Sequence, residues 1–138
     1  MGNCFAQFRG SGDSDDKIDF SGGNVHLISS KESWDDRIAE ANKAGKIVVA
    51  NFSASWCGPC RVITPLYSEM SLKYPQLVFL IIDVDELTEL SSSWDIRATP
   101  TFFFLKDGKQ LDKLVGANRP ELEKKIVSYA ESAAEYST

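Results

Sequence analysis

The chain has 138 residues, three cysteines and a formal net charge of −5. That length suits one domain with a real core. The charge, with no basic run to neutralise phosphates, argues against nucleic acid, and three cysteines are too few and too odd a count for a secreted disulfide scaffold. No apolar run of about 18 residues is present to span a membrane, and no basic stretch followed by an apolar core marks a secretory leader. The expected setting is reducing and cytoplasmic.

The first 24 residues read as a flexible extension, small and polar at Arg9-Gly10-Ser11-Gly12-Asp13 and again at Ser21-Gly22-Gly23-Asn24. One domain is expected over residues 25–134. Val25–Ile28 reads as a short strand. Ser30 or Ser33 caps a helix over Trp34–Ala44, and Gly45 closes it. The apolar run Ile47–Phe52 has the pattern of a buried strand. A helix is expected over Arg61–Lys73, kinked at Pro65. Leu77–Asp83 is a strand, Glu86–Trp94 a short helix and Arg97–Pro100 a loop. Thr101–Leu105 and Gln110–Val115 form a hairpin about the Asp107-Gly108 turn signal. Gly116 ends it, and a last helix covers Pro120–Tyr129. The order β-α-β-α-β-α-β-β-α implies an α/β fold, a mixed sheet with helices on both faces.

The chemistry concentrates in Trp56-Cys57-Gly58-Pro59-Cys60. Two thiols spaced C-x-x-C can close into a disulfide and reopen, and in a βαβ setting this spacing reads as a redox motif. A strand precedes it and a helix follows. Cys57 is therefore placed at a helix N-terminus, where the helix dipole and free N–H groups favour thiolate over thiol.

With that motif stand Phe52-Ser53-Ala54-Ser55 before it, Pro65, Asp83-Val84-Asp85, Ala98-Thr99-Pro100-Thr101, Asp107-Gly108 and Val115-Gly116-Ala117. In this combination the chain resembles the thioredoxins, and the plant h-type in particular, over residues from about 25 to 134. The resemblance implies the thioredoxin fold and a protein-disulfide reductase with no bound cofactor. It implies Cys57 as the attacking thiolate and Cys60 as the resolving thiol. It also implies a cis bond between Thr99 and Pro100 beside the two sulfurs, with the Thr99 backbone free to pair with an incoming strand. Trp56, Gly58, Pro59, Pro100, Gly116 and Ala117 would form the flat patch that receives a target disulfide. Arg61 adds positive charge nearby. The expected partners are target protein disulfides, with electrons from NADPH through thioredoxin reductase or from glutathione through glutaredoxin, and a monomer is expected.

The chain departs from the family twice. Thioredoxins usually carry a buried aspartate where this chain has Asn51, and a lysine where it has Ile81. A buried charge without its partner is costly, so paired loss is reasonable where single loss is not. Asn51 and Ile81 are therefore candidates for tuning Cys60. At the other departure, Met1-Gly2-Asn3-Cys4, Gly2 meets the requirement for myristoylation and Cys4 is a palmitoylation candidate; Ala6 replaces the usual Ser/Thr. Two lipids would suffice for stable membrane attachment. Cys4 has a competing role as a third redox thiol, since an arm of about 20 residues reaches the active site. Some extended h-type thioredoxins are recharged through glutaredoxin, and this chain resembles that group.

His26 reads as structural, Trp34 and Trp94 as core, and Phe102-Phe103-Phe104 as a strand buried on both faces. Asp83, Asp85, Glu86 and Glu89 read as a solvated cluster near a helix start. No fourth ligand completes a zinc shell, so no metal is expected. A redox-sensitive binding module at a membrane surface is the alternative to the reductase. A disulfide isomerase or oxidase is rejected because position 59 is Pro and not His.

Overall fold

A computed structural model describes residues 23–136. Gly2, Cys4, Ala6 and nearly all of the proposed extension lie outside the described residues. Strand β1 (Val25–Ile28) leads into helix α1 (Lys31–Ala44), strand β2 (Val48–Ser53) and helix α2 (Gly58–Lys73). Strand β3 (Val78–Asp83) and the short helix α3 (Thr88–Ser93) follow, then strands β4 (Thr101–Lys106) and β5 (Lys109–Val115) and helix α4 (Arg119–Tyr136).

The five strands form one sheet in the order β1-β3-β2-β4-β5. β3 runs parallel to both β1 and β2, whereas β4 is antiparallel to β2 and to β5. This is the expected mixed sheet. Asp107 and Gly108 both have positive φ, 52° and 78°, which is how an Asp-Gly turn matches the twist of a tight hairpin.

Each face of the sheet has its own core. Ile63, Tyr67 and Met70 of α2 and Leu122 and Ile126 of α4 pack on Val49, Phe79, Phe102 and Phe104. On the other face Trp34 of α1 and Leu90 of α3 pack on Ala50, Phe52, Leu80 and Phe103. Phe102, Phe103 and Phe104 are all buried, so β4 is covered on both sides as the sequence suggests. Trp34 is core, and half-buried Trp94 packs against it with rings 5.7 Å apart.

Some boundaries move. Ser30 alone caps α1, its side chain accepting the Ser33 N–H at 3.0 Å. α2 begins at Gly58 and not at Arg61, because Cys57 is its N-cap and Pro59 sits in its first turn, where a missing N–H costs nothing. α2 runs on through Pro65 to Lys73. α3 is shorter than expected: the N–H groups of Glu86 and Leu87 turn back to the Asp83 carbonyl.

Candidate active site

Cys57 and Cys60 are joined as a disulfide at the N-terminus of α2, with Cα atoms 5.3 Å apart. The Cys57 sulfur accepts the Cys60 backbone N–H at 3.2 Å. That contact is the cap, and it points helix N–H groups at a sulfur that becomes anionic on reduction. Cys57 is 3% exposed and Cys60 0%. Both cysteines are buried, Cys57 as the N-cap and Cys60 within the first turn of α2.

The Thr99–Pro100 peptide is cis, and the Thr99 carbonyl oxygen lies 3.5 Å from the Cys57 sulfur. Pro100 itself is buried and Thr99 half-buried, so it is the Thr99 backbone that borders the sulfur. Pro100 in turn accepts the Gly116 N–H at 2.8 Å. That bond brings the end of β5 against the same loop. Gly116 has φ +99°, and a Cβ placed there would meet nothing within 4 Å. Glycine is needed for the backbone conformation, not for space.

Trp56 is 69% exposed beside the exposed Gly58 and Pro59, while Ala117 is half-buried. The Trp56 indole N–H donates to the Asp85 carboxylate, 29 residues away. Asp85 is oriented by its own N–H, which donates to Asp83 at 2.9 Å. The sequence placed Asp85 only in a solvated acidic cluster. Its recurrence in the Asp83-Val84-Asp85 marker was the available signal. From Trp56 a groove of about 350 Å³ runs past Val84, Thr88, Ser91, Ile96 and Thr99. It starts at Trp56, the residue before Cys57, and ends at Thr99, whose carbonyl borders the Cys57 sulfur. Its α3 wall was not foreseen. Arg61 lies exposed in the first turn of α2.

Within the sheet, Asn51 and Ile81 are register neighbours on β2 and β3, both buried. Ser53 donates to the Asn51 Oδ1 at 2.7 Å. Deeper still, the Tyr67 hydroxyl on α2 lies 2.8 Å from the Val49 carbonyl and 2.7 Å from that of Leu80. It ties α2 to two strands, and burial pushes its phenol well above the ordinary range. Among the described residues no group of His, Cys, Asp and Glu could hold a metal. His26 lies half-buried on β1, away from the sulfurs.

The Thioredoxin family model matches residues 25–128. The chain belongs to the thioredoxin family. Among similar proteins, Thioredoxin H4-1 of Oryza sativa subsp. japonica is 71% identical over 133 residues, 96% of this chain and 100% of that one. Thioredoxin H9 of Arabidopsis thaliana is 61% identical over 135 residues, 98% of this chain and 96% of that one. The crystal structure of a poplar thioredoxin h mutant superposes with a TM-score of 0.81 at 63% identity, covering 83% of this chain and 89% of that one. This thioredoxin is a thiol-disulfide oxidoreductase that reduces protein disulfides. Nothing in these relatives supports the alternative of a non-catalytic binding module.

Proposed function

We propose that Cys57 is the attacking thiol of this reductase and Cys60 the resolving thiol. The observation that carries the assignment is the place of the Cys57 sulfur as the N-cap of α2, where it accepts the Cys60 N–H. The reduced Cys57 thiolate attacks one sulfur of a target disulfide, and the other target sulfur leaves with the electron pair. Cys60 then attacks Cys57, the target's remaining sulfur leaves, and the Cys57–Cys60 bond is restored. The target gains two electrons and the protein loses two. Trp56, Gly58, Pro59, Thr99, Gly116 and Ala117 form the docking surface, with buried Pro100 beneath it, and the Thr99 backbone pairs with the incoming strand. Exposed Arg61 adds positive charge at the rim.

No cofactor is bound in this scheme, and the protein acts as a cytoplasmic monomer. The disulfide is recharged from NADPH through thioredoxin reductase or from glutathione through glutaredoxin. In the glutaredoxin route Cys4 is the third thiol; in the other, Gly2 and Cys4 carry lipid at a membrane surface.

Trapping tests the roles. Cys60→Ser is expected to accumulate a mixed disulfide with target, and Cys57→Ser to form none; the reverse pattern exchanges the assignments. Insulin reduction with each recharging system separates the two routes. Activity confined to glutaredoxin and lost in Cys4→Ser places Cys4 in the relay. Activity with thioredoxin reductase and indifference to Cys4→Ser removes it.

A further inference from the structure

At the end of the sheet away from the disulfide lies a cavity that the reductase chemistry does not use. Lys46 stands before β2 and Cys57 beyond its far end. A strand of six residues, about 20 Å long, therefore separates the two places. The cavity holds about 340 Å³. It is lined by His26 of β1, by Arg37, Glu40 and Ala41 of α1, by Lys46 in the turn that follows, and by Val78 at the start of β3.

Two cations and one carboxylate line this cavity in a chain whose formal net charge is −5. The cations are poorly neutralised. Glu40 comes no nearer to Arg37 than 4.0 Å, the outer limit of an ion pair. The Lys46 ammonium has no ion-pair partner among the described residues. The half-buried His26 imidazole makes no hydrogen bond among the described residues. Burial first, and then the charge of Arg37, hold His26 below its ordinary pKa against the opposing pull of Glu40. From β3 the facing residues are Val78 and Leu80, the register partner of His26, and both are uncharged. The C-terminal end of a helix repels anions through its free carbonyls, but the Ala41 carbonyl is taken by the Lys46 N–H at 2.9 Å.

We propose that this cavity binds a phosphomonoester, with Arg37 and Lys46 on the phosphoryl oxygens and Ala41 and Val78 against the organic part. The planar fork of Arg37 suits a tetrahedral dianion because it donates two parallel N–H bonds, and Lys46 adds a compact charge. One water takes about 30 Å³ of liquid and a bare phosphate a few times that, so the cavity has room beyond the phosphoryl group. The apolar wall gives that room to carbon. A bound dianion offsets the field of Arg37 at His26, so binding and His26 protonation favour each other. Protonated His26 then has N–H donors on both ring nitrogens.

His26 is the chain's only histidine, so one imidazole signal reads the site. The test is a proton NMR titration of His26 in the full chain, at constant ionic strength in chloride, with phenyl phosphate and with sulfate. Sulfate supplies the tetrahedral dianion without the organic part. Phenyl phosphate is expected to shift the signal saturably and to move its titration midpoint to higher pH, with sulfate several-fold weaker. Arg37→Gln and Lys46→Gln are each expected to weaken phenyl phosphate, Arg37→Gln by about tenfold. Both variants should reduce insulin at the native rate, which shows that they fold and that the site is separate from the disulfide. No saturable shift beyond chloride, or native affinity in both variants, overturns the proposal. Equal affinity for sulfate and phenyl phosphate overturns the ester and leaves a site for a free anion.

Discussion

Asn51 and Ile81 face each other across the parallel pairing of β2 and β3, both fully buried. The two buried positions where the resemblance leads one to expect a charged pair are thus one site. Restoring one charge alone leaves it buried and unpaired, which costs about 3–5 kcal/mol. Asn51→Asp is expected to lose stability of that order in urea at neutral pH, and Ile81→Lys added to it to recover much of the loss. The inserted carboxyl has a folded pKa above its unfolded value of about 3.9. Its penalty is therefore absent below that pH and grows as pH rises to the folded value. A carboxyl titrating near its unfolded value in the folded variant would show that the site is wet.

The Trp56 indole N–H is held by the Asp85 carboxylate. Asp85→Ala frees the indole without opening the core, since both side chains are exposed. Stability should stay within about 0.5 kcal/mol of native, while kcat/KM for a protein disulfide falls several-fold and KM rises. Unchanged kinetics would mean that the exposed indole needs no fixing.

Gly116→Ala tests the backbone beside the sulfurs. With φ at +99°, an L side chain is strained by about 1–2 kcal/mol, even though its Cβ meets no atom. Thermal unfolding should show that loss, and target turnover should fall because the Gly116 N–H bond to Pro100 shifts. A fully stable variant would show that the loop relaxes freely.

Far from the disulfide, Asp112 accepts from Lys125 at 2.7 Å and from the Tyr129 hydroxyl at 3.2 Å. Burial opposes its charge, but Lys125, the Lys113 N–H and Tyr129 outweigh burial and hold the Asp112 carboxyl below its usual value. The stability this gives is present above the unfolded pKa and is lost as pH falls through the folded one. Asp112→Asn should therefore unfold more easily than native at pH 7, and the gap should close in strong acid. A gap that persists unchanged at low pH would assign the effect to packing.

Much of this protein was legible in its sequence because the signals are local. The Trp56–Cys60 motif lies within five residues, the Asp107-Gly108 turn within two, and the buried run of Phe102–Phe104 declares a covered strand. Alternating elements gave the α/β class. The start of α2 was misplaced because Cys57 acts as a cap through its sulfur, which residue type alone does not announce. What tertiary structure decided are relations between distant residues. They include the strand order that sets β3 between β1 and β2, the burial of Pro100 with Thr99 left at the sulfur, the reach of Asp85 to Trp56, and the gathering of His26, Arg37 and Lys46 at one cavity. Local propensity fixes which elements form; only packing the two faces of the sheet fixes which side chains from separate elements meet, and the chemistry of Cys57 and Cys60 is set by those meetings.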